Sequence, residues 1–508
     1  MRLFRRNAIG FYAVYAAAMV SGLVVTPILL RSIGNEAFGI WAFIGGITIY
    51  LAVLDIGLGP SVVRFTAEAH GRRDPEEINR VASVALVLYA AIGVLTLLAG
   101  AVVAWCVPLL IETPPDLVWE ARVSTFLVTL SLAVRFPLGL FYNLLGGRHR
   151  FDLQNLGNFV GTVLYAVLVA LLIPRGGGLV VLGLLTILVT VLRLGLPLVW
   201  LRRELPQLRL QREYVTRARA RDLIGVSGSN FLVHVANKVV FSTDVVVVGI
   251  VLGPTEAAFY AIASRLFQLV FGLASVVTSM LYPAFAEYEG SGEQARQRRL
   301  LLSGLRGGSA AALVLALPLL VIPSNLIHAW VGDGYSESAP VLALLALVLL
   351  VHQPLWMLTQ YLIARGRQRE IARLLIIGAA ANLVVSVVLA FTVGTWGVAL
   401  ATLIVDVAVL AAAVPLSVGP AAGLRAGELA RALLRPVLPA LGSAVLVFGV
   451  ARSVGADTKL ELLPFGIAWG VLASAAVWRL GLTAEERRSF SRQLGRGGRG
   501  APPVLAET

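Results

Sequence analysis

The chain has 508 residues, of which 58% are hydrophobic and 14% charged, with a mean hydropathy of +0.84. Soluble domains carry about a quarter of their residues as charges, so this composition excludes a soluble globular fold. The formal net charge of +14 sits in short loops between apolar runs, where it reports membrane topology rather than a nucleic-acid-binding surface, and the lone Cys106 excludes an internal disulfide or a cysteine-ligated metal site.

The apolar runs are about 20 residues long, the length that crosses roughly 30 Å of hydrocarbon. The opening MRLFRRN followed by apolar Ala8 to Leu30 has the charge pattern of a signal peptide, but the run is too long and no small-residue cleavage site follows. It reads as an uncleaved first helix. Hydropathy predicts six helices near residues 8–30, 38–63, 81–103, 121–143, 155–173 and 179–201. A second six follow near 223–251, 257–281, 300–322, 339–363, 371–393 and 395–417, and a last pair near 435–455 and 461–481. The expected fold is therefore an all-α polytopic membrane protein of about fourteen spans.

The gaps alternate in character. One set is short and nearly neutral (RSIGNEA, ETPPDL, PRGGG, LGPTE), and the other is rich in arginine (AEAHGRRDPEEINR, GGRHR, RRELPQLRLQREYVTRARARD, EQARQRR, ARGRQREIAR). The positive-inside rule places the arginine-rich set in the cytoplasm. Of the 42 Lys and Arg, the outer segments then hold only Arg31, Arg122, Arg175, Arg452 and Lys459. An even number of spans puts both termini in the cytoplasm.

The chain also repeats itself. A shift of 219 places Gly34 on Gly253, Gly39 on Ala258, Trp41 on Tyr260, Ala42 on Ala261, Glu68 on Glu287 and Gly71 on Gly290 without a gap. Matches in register, at equivalent places in two six-helix sets of the same orientation, indicate a parallel duplication. The expected organisation is an N-lobe at 1–222, a C-lobe at 223–434, and an added helix pair with a basic tail at 435–508. Parallel repeats are a common transporter plan, with substrate held between the lobes near the midplane.

Ionisable residues inside spans cost about 2.5 to 3.5 kcal/mol on insertion scales and need a reason. Asp55, Arg135, Arg193, Lys238, Asp244, Arg265 and Asp406 are the candidates. Helical spacing groups some of them with polar neighbours. Ser227, Asn230, His234, Asn237, Phe241 and Asp244 line one face of the seventh helix, with Lys238 at its edge. Arg265, Gln268, Gly272, Ser275 and Ser279 do so on the eighth, and Ser124, Ser131, Arg135 and Tyr142 on the fourth. The fifth offers Asn155, Asn158, Thr162 and Tyr165, and the tenth His352, Gln353, Trp356, Thr359 and Gln360.

These faces are expected to converge on a wet cavity. Arg135, Lys238 and Arg265 are cations suited to phosphate oxygens, with Asn230, Asn237, Gln268 and Gln360 as sugar-binding partners. Asp55, Asp244 and His234 are the candidates for ion coupling. Each has a plainer reading: Asp55 as a cap or hinge before GLGP, Asp244 as an ion-pair partner of Lys238, His234 as a hydrogen-bonded bundle residue. Arg193 is expected to snorkel from the inner end of the sixth helix, and Asp406 has no assigned use. The tail RQLGRGGRG reads as an arm near anionic lipid. No P-loop, dinucleotide fingerprint, HExxH or GxSxG is present, so the sequence calls for no cofactor and no covalent chemistry.

The blocks PILLRSIGNEAFGIWAFIGGITIYLAVLDIGLGPSVVRFTAE and STDVVVVGIVLGPTEAAFYAIASRLFQLVFGLASVVTSMLYPAFAE carry a family likeness. The chain resembles the Wzx-like polysaccharide biosynthesis and O-antigen flippases of the multidrug/oligosaccharidyl-lipid/polysaccharide exporter superfamily. The resemblance implies a non-enzymatic, alternating-access protein of the bacterial cytoplasmic membrane. Its implied cargo is an undecaprenyl-pyrophosphate-linked oligosaccharide, moved to the outer leaflet for O-antigen or exopolysaccharide synthesis. Implied partners are membrane lipids, a coupling proton or sodium ion, a polysaccharide polymerase and a chain-length regulator, with no nucleic acid. Three alternatives are kept. A lipid II flippase would share fourteen helices, but its arginine-rich first-helix pattern is missing. A multidrug or cation antiporter would have twelve helices and an acidic cavity. A membrane polysaccharide polymerase or ligase would display a large catalytic outer loop, whereas the longest here is PSNLIHAWVGDGYSES.

Overall fold

The computed structural model describes residues 2–55, 57–225, 242–279, 281–453, 462–481 and 487, and among these the secondary structure is helical with no strand. Helix α1 (Arg2–Ala52) is two helices, 2–33 and 35–52, joined at Gly34 with φ 78° and ψ 175°. Only a residue without Cβ takes that conformation cheaply. It is the outer turn expected between the first two spans.

The second span differs from expectation. Hydropathy gives one span near 38–63, with Asp55 as a possible cap or hinge, and the helix stops at Ala52, passes through a 3-10 turn at Val53–Asp55, and restarts as α2 (Leu58–Arg72) behind Gly57 at φ 72°. The GLGP sequence explains the break. Gly57 supplies the left-handed turn, and Pro60 falls in the first turn of α2, where its missing N–H has no intrahelical partner to lose.

Helices α3 (Pro75–Leu110), α4 (Val118–Gly147), α5 (Phe151–Leu172) and α6 (Leu179–Gly195) complete the first set. The basic linker holds the short α7 (Leu201–Glu204) and α8 (Arg217–Gly225), and α9 (Ser242–Leu252) is the described part of the expected seventh span. The second set comprises α10 (Pro254–Ser279), α11 (Tyr282–Gly290), α12 (Gln294–Val321), α13 (Pro323–Val331), α14 (Ser338–Ala364), α15 (Gln368–Val393) and α16 (Thr395–Ala413). Helix α16 runs through a π-turn at Val414–Val418 into α17 (Gly419–Ala422). Helices α18 (Ala426–Leu434), α19 (Val437–Ser453) and α20 (Leu462–Ala476) follow, the last two where the thirteenth and fourteenth spans were expected. Among the described residues ten helices are long and apolar enough to cross a membrane, the kinked α1 counting once. The protein is an all-α, multi-pass membrane protein.

The repeat is visible in backbone geometry. Gly34 and Gly253, equated by the 219 shift, both have positive φ, and Arg73 and Gly292 at the same offset do too. Helix α3 starts at Pro75 and α12 at the equivalent Gln294. A Cβ on Gly39 would run into the carbonyl of Pro254 and lie 3.2 Å from the amide of Ala258, its own equivalent, so the helix starts of the two repeats pack backbone to backbone.

By their contacts the residues gather into two units, Met1–Ala261 and Ile262–Thr508. The first has a core of Val62 from α2, Val81, Val84 and Tyr89 from α3, and Phe136 and Leu140 from α4. Close approach comes from small residues, as in membrane bundles generally. Gly93 and Gly100 of α3 sit against the Ala133 carbonyl and the Thr129 side chain of α4, and Gly157 and Gly161 of α5 against Arg193 and Pro197. The outer face of α3, with Leu95, Leu98, Val102, Trp105 and Leu109 exposed, is apolar as a lipid-facing surface must be. In the second unit Leu313 and Leu317 of α12 pack with Val447 of α19 and the fully buried Trp469 of α20, which fastens the last two helices to that unit.

At the arginine-rich end of the first unit the linker is tied to α3. The Asn79 side chain donates to the carbonyl of Gln207 (3.1 Å) and accepts from the amide of Arg209 (2.9 Å), and Ser83 Oγ accepts from the amide of Gln211 (3.0 Å). Glu77 pairs with Arg219 at 2.7 Å. Positions 79 and 83 are one turn apart on one face of α3, so the linker lies along that face as an extended strap.

Candidate functional site

In the first unit the polar faces of α4, α5 and α6 meet at one cluster. Gly157 and Gly161 draw α6 against α5, and this brings Arg193 alongside Asn158. Arg193 Nε donates to Asn158 Oδ1 at 2.6 Å, and Asn158 Nδ2 donates to the hydroxyl of Tyr142 at 2.8 Å. Arg135, two turns before Tyr142 on α4, lies within electrostatic range of both Arg193 and the Tyr142 hydroxyl. Arg135 and Arg193 are both exposed. Two like charges held together without a carboxylate among these contacts form a site that attracts anions.

Arg193 also has a partner that the sequence did not show. Its guanidinium is engaged by Asn158. The sequence signal was the GxxxG of α5 beside Asn158, which marks where α6 comes close. The α4 stripe is also divided. Tyr142 and Arg135 belong to the cluster, but Ser131 bonds Thr190 at 2.9 Å on α6 and Ser124 is fully buried, so that half of the stripe is interhelical packing.

In the second unit Arg265 and Gln268, three apart on α10, are both exposed on one face, as the spacing predicted. Gln360 is half-buried on α14. The other polar residues of α14 turn inward. Gln353 donates to the Ala274 carbonyl (2.9 Å) and to Thr278 Oγ1 (3.0 Å), and Thr359 bonds its own helix at Leu355. His352 Nδ1 lies 2.8 Å from Asp406 Oδ2, both residues buried, with Phe271 edge-on to the imidazole at 5.5 Å. Sequence reasoning listed both residues but left Asp406 without a role, because nothing in one helix's periodicity shows which neighbour it faces.

Asp244 is 1% exposed on α9 and accepts from the hydroxyl of Tyr260 at 2.6 Å. Its neighbour Thr243 shares a hydrogen bond with Tyr50. Asp55 closes the 3-10 turn before Gly57. Lys238, Asn230, Asn237 and His234 lie outside the described residues. No set of three or more His, Cys, Asp or Glu suited to a metal occurs among the described residues.

A family model described as polysaccharide biosynthesis protein matches residues 4–289, more than half of the chain. The chain belongs to the polysaccharide biosynthesis protein family. A family relative from Bacillus subtilis (strain 168), the uncharacterized membrane protein EpsK, is 23% identical over 481 residues, 91% of this chain and 92% of that protein. The succinoglycan biosynthesis transport protein ExoT of Rhizobium meliloti (strain 1021) is 26% identical over 327 residues, 64% of this chain and 62% of that one. Among solved structures, the lipid II flippase MurJ in an inward closed conformation aligns over 93% of this chain and 98% of its own, with TM-score 0.70 at 12% identity. An inward-facing MATE multidrug transporter aligns over 78% and 92%, with TM-score 0.65 at 16% identity. This family member thus shares the fold of these solved membrane transporters and is a multi-pass bacterial membrane protein of polysaccharide biosynthesis.

Proposed function

We propose that this chain is a flippase that moves an undecaprenyl-pyrophosphate-linked oligosaccharide from the cytoplasmic to the outer leaflet by alternating access of two lobes. The observation that carries the reading is the pairing of Arg135 with Arg193, braced by Asn158 and Tyr142, in a polysaccharide biosynthesis protein. Guanidinium forks match phosphate oxygens, and the neighbouring amide and phenol offer the mixed donors and acceptors a sugar needs. Arg265, Gln268 and Gln360 extend the same chemistry in the second unit, and Lys238, Asn230 and Asn237 are assigned to it from their helical spacing alone.

The lobes are taken at 1–222 and 223–434, with 435–508 carrying the last two helices, fourteen spans in all and both termini cytoplasmic. A proton or sodium ion taken up at Asp55, Asp244 or His234 resets the cycle, and the buried His352–Asp406 pair is a further protonation site. A site that binds equally in both states shifts neither, so the ion must favour one of them. A polymerase and a chain-length regulator act on the delivered unit, and no chemistry on the cargo is required of this chain.

The experiment is flipping by purified protein in liposomes of a fluorescent prenyl-pyrophosphate oligosaccharide, with and without a pH gradient. Protein-dependent exposure that is lost in Arg135→Gln/Arg193→Gln supports the reading. Exposure of lipid II alone, or exchange of a cationic dye for protons with no lipid movement, would replace it with the lipid II flippase or the antiporter.

A further inference from the structure

Basic side chains meet at the arginine-rich end of the first unit, beside two carboxylates, Asp74 and Glu204, that have partners of their own. Arg73 follows α2 in the left-handed conformation (φ 58°), and its guanidinium makes no ion pair among the described residues. The α4–α5 turn brings Arg148 onto the ring of His70, with Nη1 touching both ring nitrogens, 2.9 Å from Nε2. Arg148 Nε is buried without a hydrogen-bond partner. His149 stands close enough to add to the positive field at His70.

The two nearby acids are engaged elsewhere. Asp74 caps α3 by accepting from the Glu77 amide at 3.0 Å, and Glu204 pairs with Arg150. The linker lines the remaining side, and the result is a pocket of about 230 Å³ whose walls include His70, Arg73, Arg148 and Gln207 together with the engaged acids Asp74 and Glu204. A neutral imidazole offers one lone pair, so it cannot satisfy a guanidinium resting on both of its nitrogens. A buried, unpaired guanidinium N–H is a donor lacking its acceptor.

We propose that this pocket binds a phosphate group, held by the guanidinium groups of Arg73 and Arg148 with the Gln207 amide at its rim. The volume admits a phosphate with a small ester substituent, so the source is either the headgroup of an anionic membrane lipid or free phosphate. Occupancy would bridge the α2–α3 and α4–α5 turns to the linker, fixing the strap that leaves the first unit.

The test uses the full chain in a phosphate-free maltoside detergent, in two arms: calorimetric titration with inorganic phosphate, and native mass spectrometry of retained phosphatidylglycerol. Arg73→Gln/Arg148→Gln should weaken binding at least about tenfold. Gln207→Glu, which removes no arginine and puts a negative charge at the rim, should do the same if the double variant folds poorly. Arg72→Gln, whose side chain pairs with Glu68 outside the pocket, should bind as the native chain does. Loss confined to the phosphate arm identifies free phosphate, and loss confined to the lipid arm identifies a headgroup. No binding by the native chain, or equal binding by all four proteins in both arms, overturns the proposal.

Discussion

His352 and Asp406 face each other across α14 and α16, with Nδ1 2.8 Å from Oδ2 and both side chains almost wholly buried. Leaving a buried donor or acceptor unmatched costs about 1–3 kcal/mol, more where a charge is involved. Asp406→Leu should therefore lower the melting temperature of the purified protein markedly. Asp406→Asn keeps a side-chain oxygen for the imidazole and should melt close to the native chain. If the pair exchanges protons during transport, Asp406→Asn should also remove the response of flipping to a pH gradient, and an unaltered response excludes that role.

The Arg193–Asn158 contact separates two functions of one residue. Asn158→Ala removes the brace but leaves both cations, and a hydrogen bond to a charged group is worth about 1.5–3 kcal/mol. Flipping at low substrate should fall by roughly ten- to a hundredfold, at about 1.4 kcal/mol per decade. Arg135→Lys should be far milder than Arg135→Gln in the same assay. Equal losses in both would show that charge at position 135 is not what matters.

Gly39 has no room for a methyl group. Gly39→Ala pushes Cβ into the Pro254 carbonyl, and overpacking of this kind costs about 1–3 kcal/mol. Gly45, on the same helix segment, has nothing within 4 Å of a Cβ, so Gly45→Ala should be neutral or slightly stabilising. Thermal unfolding of the two variants in one detergent provides the comparison, and equal melting temperatures would contradict the packing.

Asn79 holds two backbone groups of the linker at once. Asn79→Ala deletes both hydrogen bonds, about 0.5–1.5 kcal/mol each. Trypsin should then cut at Arg209 or Arg212 several-fold to a hundredfold faster, with little change elsewhere in the digest. A digest identical to that of the native chain would mean that the strap is held by other contacts.

Acidity should loosen the His70–Arg148 contact. Partial burial, the Arg148 guanidinium and His149 hold the His70 imidazole below its usual pKa, so the unfolded chain binds the proton more readily than the folded one. Stability is then fully present above about pH 6.5, the ordinary histidine value, and falls as the pH drops from there toward the lowered folded-state pKa. His70→Asn should flatten the melting temperature between pH 7 and 5, and an unchanged slope would assign the pH dependence to other groups.

Much of the architecture was fixed by local chemistry. Runs of apolar residues long enough to span lipid, arginine-rich loops on alternate gaps, and turn glycines such as Gly34 and Gly253 each act within one stretch of chain, and a linear reading finds them. The break at GLGP is a partial case: Asp55 was read as a possible cap or hinge, but a hydropathy window averages across Gly57 and reports one helix. Side-chain partnerships across helices were decided only by tertiary structure. Helical periodicity gives the face on which Asn158, Arg193, His352 or Asp406 lies, but not which other face it meets, because that depends on how closely two helices pack. Gly157 and Gly161 let α6 approach α5, which made Arg193 part of an anion-attracting cluster, and the packing of α14 against α16 gave Asp406 the partner that its own helix could not show.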